Sequence, residues 1–219
     1  RVDSDTALFE SVVKYRDLYD NSPDMLFSFD ATTGRIIVCN RTFCDKTGYS
    51  WNEIIGMPIS KLYHPDCHEK ARKCLENFLK EGEVRNVEFQ AVTKDGNVVD
   101  VLLHAKAVRD SKGKILYSRS SWRDISDRKY AEQALAESEE RYRAIFDNAG
   151  VGINLLDAQG KIFSVNKSLA DMLGDTPDEL KVMTFQELTP PEDSQISLKE
   201  VAAILSGEKK SYRIQKRYL

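Results

Sequence analysis

The alternation of apolar and polar positions predicts two groups of strands with short helices between them. Met25 to Asp30 and Arg35 to Cys39 are short apolar runs on either side of Thr32-Thr33-Gly34, the signal of a hairpin. Three further strands are predicted at Val84 to Thr93, Val98 to Val108 and Lys114 to Arg123, with turns at Lys94-Asp95-Gly96-Asn97 and Asp110-Ser111-Lys112-Gly113. In the middle one Val99, Val101, Leu103, Ala105 and Ala107 alternate onto one face, as in a half-buried antiparallel strand. Between the two groups the period turns helical. Asn40 precedes a short amphipathic stretch and reads as its cap, and Ser50 with Glu53 three residues on opens a second. Pro65 to Lys80 carries apolar positions at Ala71, Cys74, Leu75 and Phe78 and is ended by Gly82. Two strands, several short helices and three more strands make an α+β domain with helices on one sheet face.

The same order begins again further along. Tyr15-Arg16-Asp17-Leu18-Tyr19-Asp20-Asn21 matches Tyr142-Arg143-Ala144-Ile145-Phe146-Asp147-Asn148, and then Asn40 falls on Asn166, Gly48 on Gly174, Glu53 on Glu179, Leu62 on Leu188 and Pro65 on Pro191. A repeat of about 126 residues is a duplicated domain, since solenoid repeats run to roughly 20–50. Asn166 then reads as a cap, like Asn40.

Between the copies, Asp127 to Phe146 has neither Gly nor Pro and is dominated by Ala, Glu, Gln, Leu and Arg, which predicts one continuous helix. Arg128, Leu135 and Tyr142 share one heptad position and Ala131, Ser138 and Ile145 another. That is a weak coiled-coil seam; a solvated spacer is the alternative. Asp124 or Ser126 is placed to cap this helix. Ala7 to Tyr19, with Leu8, Phe9, Val12, Val13 and Leu18, predicts a similar helix ahead of the first copy.

Asn40-Arg41-Thr42-Phe43-Cys44-Asp45-Lys46-Thr47-Gly48-Tyr49-Ser50, the following Glu53-Ile54-Ile55-Gly56, the Lys94-Asp95-Gly96 hairpin and Trp122-Arg123-Asp124-Ile125-Ser126-Asp127-Arg128-Lys129 together resemble a PAS domain of the S-box kind. In the second copy Asn166-Lys167-Ser168-Leu169-Ala170-Asp171-Met172-Leu173-Gly174 and Thr176-Pro177-Asp178-Glu179-Leu180 carry the resemblance. It implies two PAS folds, each a five-stranded antiparallel sheet in the order 2-1-5-4-3 with short helices on one face, as in bacterial-type sensor kinases and other signalling proteins. The expected divisions are a leading helix over 1–19, a first domain over 20–126, a linking helix over 127–146 and a second domain over 147–219, cut short at its C-terminal end. The chain starts without Met or a signal peptide and stops at Tyr218-Leu219 within a strand-like pattern, so it is taken as a portion of a longer protein.

The resemblance also implies a pocket between sheet and helices. Phe27, Phe29, Phe43, Phe89, Leu103 and Trp122 are candidates for its lining, as bulky residues on the enclosing segments; the alternative is that they fill a packed core. Asp124, Ile125, Ser126, Leu135 and Tyr142 are candidates for passing a signal into and along the linking helix. The expected role is a sensory module that binds a small ligand or cofactor, with a ligand-free dimerisation or spacer module as the alternative. A homodimer and an output domain in the same parent protein, such as a histidine kinase or a cyclic-dinucleotide enzyme of a two-component or related system, are the expected partners.

Composition narrows the class. Lys and Arg number 32 against 35 Asp and Glu, a net charge of −3 with both signs scattered, which argues against nucleic-acid binding. Apolar runs stay far short of the ~20 residues of a membrane span. Cys39, Cys44, Cys67 and Cys74 have no CxxC spacing, so a disulfide framework is not expected and a reducing cytoplasm is. No nucleophile, phosphate-loop or paired-carboxylate motif is present, and this stretch is expected to be non-enzymatic. No cofactor or metal is expected, haem and non-covalent flavin being the minor alternatives. Flavin-adduct light sensors of the superfamily need a Cys where Gly56-Met57-Pro58-Ile59-Ser60-Lys61-Leu62 places Ile59, and Phe185 stands there in the second copy. His64, Cys67, His68 and Cys74 lack paired zinc spacing, and the surroundings of His68 do not match a haem-ligand motif.

Overall fold

The computed structural model describes the backbone of residues 2–219 and side chains from residue 9 onward. The chain folds as two units, one ending at Gln133 and a second running Ala134–Leu219.

The first unit opens with helix α1 (Val2–Asp20). Of its predicted apolar residues, Ala7 and Leu8 lie outside the described side chains; Phe9, Val12, Val13 and Leu18 are exposed. Strands β1 (Met25–Phe29) and β2 (Ile36–Cys39) form the predicted hairpin. Helices α2 (Arg41–Thr47) and α3 (Trp51–Ile54) follow. The helix expected over Pro65 to Lys80 is split: Pro65–Cys67 is a 3₁₀ turn closed by Cys67 N–H on the His64 carbonyl, and α4 runs from His68 to Glu81. Pro65 lacks an N–H to give, and the His64 Nδ1 accepts from Asp66 N–H, so the turn tightens before the regular helix begins. Gly82 ends α4 at φ 82°, left-handed backbone that glycine adopts without strain.

Strands β3 (Glu83–Val92), β4 (Val98–Arg109) and β5 (Ile115–Asp124) complete an antiparallel sheet in the order β2-β1-β5-β4-β3. The crossover puts the first and last strands side by side, Met25 opposite Trp122 and Phe27 opposite Ser120. Val101, Leu103 and Ala105 face the core from β4, in the alternation read from sequence. α2, α3, α4 and the 3₁₀ turn Ile59–Leu62 cover that face with Phe43, Ile54, Leu62 and Phe78, all essentially inaccessible.

Helix α5 (Ser126–Asp147) is continuous, and the boundary between the units falls within it. The second unit repeats the first half of the plan: hairpin β6 (Asn154–Leu156) and β7 (Ile162–Val165), then α6 (Lys167–Leu173), α7 (Pro177–Leu180) and α8 (Pro191–Leu205) around Ile162, Leu169, Leu180 and Leu188. The strand-like reading at Tyr218-Leu219 is corrected: residues 211–219 have no regular structure. An alternating pattern speaks to burial, whereas a strand needs a hydrogen-bonding neighbour. Here Leu219 N–H bonds the Leu188 carbonyl and Arg217 bonds Asp193 instead.

Candidate functional site

Asn40 is more than a helix cap. Its Oδ1 accepts from Phe43 N–H at 3.0 Å, the capping bond, and also from Leu26 N–H at 2.9 Å. Its Nδ2 donates to the Tyr19 carbonyl at 2.9 Å and the Asp24 carbonyl at 3.0 Å. The amide, 0% exposed, thereby joins the end of α1, the start of β1 and the start of α2. Asn166 repeats the device, accepting from Leu169 and Ile153 N–H and donating to the Phe146 and Val151 carbonyls. The pattern of apolar positions shows the cap but not the two donated bonds; the recurrence of Asn at matching positions is the signal that points to them.

A cavity of about 220 Å³ lies between α4 and the sheet of the first unit. Ala71, Cys74, Leu75 and Phe78 form its helix wall, the same positions whose period predicts α4. Phe29, Val84, Leu103 and Ala105 form the sheet wall, Ile59 and Tyr63 lie at one end, and Ser60, His68 and Arg72 supply the polar groups. Burial pushes the Cys74 thiol up, against the opposing charge of Lys70. Arg72 is paired along its own helix with Glu69 at 2.8 Å and with Glu76.

Of the six residues read as lining, Phe29 and Leu103 border this cavity. Phe27, Phe43, Phe89 and Trp122 pack into an aromatic cluster beside it: Phe27 and Phe43 centroids are 5.0 Å apart, Phe27 and Trp122 5.2 Å, and Tyr63 joins Phe89 at 4.7 Å to Trp122 at 5.4 Å. Trp122 Nε1 is buried with no hydrogen-bond partner among the described residues. The indole N–H opposes the rise that burial imposes on the Tyr63 phenol.

An adduct-forming flavin and a haem held by His68 do not fit the residues present. The cavity is below the roughly 300–1,000 Å³ usual for such sites. Ile59 stands where an adduct thiol would be, and it is buried against the cavity. His68 Nε2 lies 3.0 Å from the Tyr63 carbonyl, to which it can only donate, so in this geometry that nitrogen is not free as an axial ligand. Among the described residues no group of three His, Cys, Asp or Glu side chains converges for a metal.

The exit from the first domain is the second feature. Asp124, the last residue of β5, takes Lys46 Nζ at 2.9 Å and Ser126 N–H at 3.0 Å. Burial acts to raise its pKa, but these two bonds prevail and hold the carboxyl below its ordinary value. Ile125 is buried and its N–H meets the Asp100 carbonyl, while Ser126 Oγ accepts from Asp100 N–H. Lys129 reaches Asp100 at 2.9 Å and Glu88 at 3.2 Å, and Arg128 reaches Glu88 at 2.6 Å. Lys129, above all, holds Glu88 below the usual carboxylate range. The first turn of α5 is thus bonded to β3 and β4, and through Asp124 of β5 it is linked to α2. Leu135 and Tyr142, farther along α5, are exposed.

Such a sheet, with helices on one face around a small cavity and a C-terminal strand bonded into a long helix, defines a sensor domain of the PAS type. The family model for the PAS domain matches residues 23–127, and that for the PAS fold matches residues 140–217. The chain belongs to the PAS family and carries two of its domains in tandem. The two-component sensor PprA of Pseudomonas aeruginosa is 26% identical over 188 residues, covering 83% of this chain and 20% of that protein. Sporulation kinase E of Bacillus subtilis is 25% identical over 175 residues, 80% of this chain and 23% of that one. The probable diguanylate cyclase DgcE of Escherichia coli is 37% identical over 84 residues, 38% of this chain and 8% of the relative. The chain spans less than a quarter of the length of these relatives. A solved RNA-binding Light-Oxygen-Voltage receptor superposes with a TM-score of 0.52 at 19% identity, over 62% of this chain and 38% of that one, and shows the shared fold. Among the described residues no helix is long and apolar enough to cross a membrane.

Proposed function

We propose that the chain is the sensory part of a cytoplasmic signalling protein, in which the first domain binds a compact, mainly apolar molecule and passes its occupancy into α5. The cavity beneath α4 is the observation that carries this reading, because small side chains at Ala71 and Ala105 leave space inside an otherwise close-packed core. A molecule smaller than a flavin or haem, with one polar group towards Ser60, His68 or Arg72, suits its size and walls. α4 packs against β3, where its Lys70 donates to the Glu88 carbonyl and the Glu88 side chain holds Arg128 and Lys129, so a ligand that moves α4 biases the start of α5. This stretch carries no catalysis in the proposal. A kinase or cyclic-dinucleotide output elsewhere in the parent protein reads the helix, and two copies associate through α5.

The test is Ala71→Leu. In an empty cavity the added methylenes are accommodated, so stability stays equal or rises, whereas in a filled core they cost about 1–3 kcal/mol. Native mass spectrometry of the wild-type chain should show a bound small molecule, or thermal shift against a panel of small aromatic acids and phenols should find one, and Ala71→Leu should abolish the effect. If wild type binds nothing and the variant is destabilised, the domain is the ligand-free spacer.

A further inference from the structure

Two thiols of the first domain meet at the Asn40 clamp. Cys39 ends β2 and Cys44 lies in α2, and their Sγ atoms are 3.6 Å apart. They flank Asn40 in sequence, and Tyr19, whose carbonyl Asn40 holds, feels both sulfurs: burial first, then Cys39, Asp20 and Cys44, push its phenol up to about 12. Both border an open hollow lined also by Arg16, Tyr19, Arg41 and Trp51. Cys39 is buried and Cys44 half-buried, so Cys44 is the more reachable from solvent. The remaining cysteines are placed otherwise, Cys67 accepting the Gln90 N–H and Cys74 lining the cavity under α4.

We propose that Cys39 and Cys44 are a reversible oxidation site, closed to a disulfide by hydrogen peroxide, and that closure loosens the Asn40 hold on the end of α1. In the first step the Cys44 thiol gives up its proton and its sulfur attacks one peroxide oxygen; the O–O bond breaks, Cys44 becomes the sulfenic acid, and the hydroxide that leaves takes up that proton as water. In the second, the Cys39 sulfur attacks the Cys44 sulfur and the S–O bond breaks. The hydroxyl departs as a second water with the Cys39 proton. Two thiols are oxidised and one peroxide is reduced to two waters, and a thiol reductant reverses the change. Burial pushes the Cys39 thiol up, so it enters as the protonated resolving partner and closure is slow compared with a dedicated peroxide sensor. The sulfurs must approach from 3.6 Å to about 2.05 Å. The movement falls on the end of β2 or the first turns of α2, the segments on either side of Asn40 in sequence, so it shifts the amide that holds Tyr19, Asp24, Leu26 and Phe43, and hydrogen bonds weaken steeply with such displacement.

Trypsin separates the two cysteines, because Arg41 lies between them and Lys46 follows. The wild-type chain is treated with hydrogen peroxide, alkylated and mapped without reduction. A linked pair of peptides, Ile36–Arg41 joined to Thr42–Lys46, is expected, lost on adding a thiol reductant, with Cys67 and Cys74 still alkylated. Separate alkylated peptides, a sulfinic acid at Cys44 beside a free Cys39, or links to Cys67 or Cys74 would overturn the site. Hydrogen exchange of the same oxidised sample reads the second half of the proposal. Exchange at the Asn21 and Asn40 amides should rise at least tenfold, and unchanged protection with the disulfide in place would overturn the coupling to α1.

Discussion

Asn40 shows how much one side chain can settle. Replacing it by Ala strips a partner from two N–H groups and two carbonyls in a site closed to solvent. Each orphaned buried group costs about 1–3 kcal/mol, and some relaxation is expected, so Asn40→Ala should lower the stability of the first domain by about 3 kcal/mol. Urea denaturation measures it; a loss below about 1 kcal/mol would mean that the bonds to Tyr19 and Asp24 contribute nothing net. Asn166→Ala should cost the second domain a similar amount through the Phe146 and Val151 carbonyls. At this scale the sequence is legible in part. A cap is a local rule, three residues long, and it is found where expected at both positions. The donated bonds join residues 15 to 21 apart, and no local pattern encodes them. The candidate lining divides for a similar reason. Size singles out Phe27, Phe43, Phe89 and Trp122, but large aromatics find one another and fill space, whereas a cavity forms where small side chains such as Ala71 and Ala105 oppose each other.

Elements are read more fully than sites, because period and turn chemistry act within a few residues. The five strands of the first domain, its hairpin turns and the continuous α5 follow from alternation, Asp-Gly and Lys-Gly turns, and the lack of Gly and Pro. The junction from β5 into α5 is the element-scale device with a titratable part. Asp124 is held below its ordinary pKa of 3.8, so its contribution is complete above about pH 4 and is lost as pH falls through the lower folded value. Asp124→Asn removes the charge that Lys46 answers. For so exposed a pair the loss at pH 7 should be about 0.5–1 kcal/mol, and the variant's stability should change less than that of wild type as pH falls below about 4. Parallel acid titrations followed by chemical denaturation would show it. Two curves of the same slope would place the acid sensitivity elsewhere, with Glu53 the next carboxylate to examine: Lys94 and then Ser50 hold it down to about 2.

At the scale of the whole molecule, the proposed association of two chains would use a stripe along α5. Leu135 is 62% exposed, and Tyr142, one heptad later, and Ile145 are exposed on the same helix. Exposed aliphatic and aromatic side chains at that spacing are the seam by which two parallel helices pack, although Arg128 and Ser138 at the companion positions make it weak. Leu135→Asp should weaken self-association and leave the first domain folded. The charge would meet its twin across the dimer axis, adding repulsion to a lost burial of about 1.5–3 kcal/mol per side chain. Leu135 is not part of the first core, so that domain's melting temperature should move little. Sedimentation of wild type and variant over a concentration series decides the matter. A wild-type dimer that the variant turns into monomer at the same concentration supports a signalling seam along α5. Identical mass distributions would make α5 a spacer and move any dimer contact to the exposed Phe9, Val12, Val13 and Leu18 of α1, where the same substitution at Val12 is the next measurement.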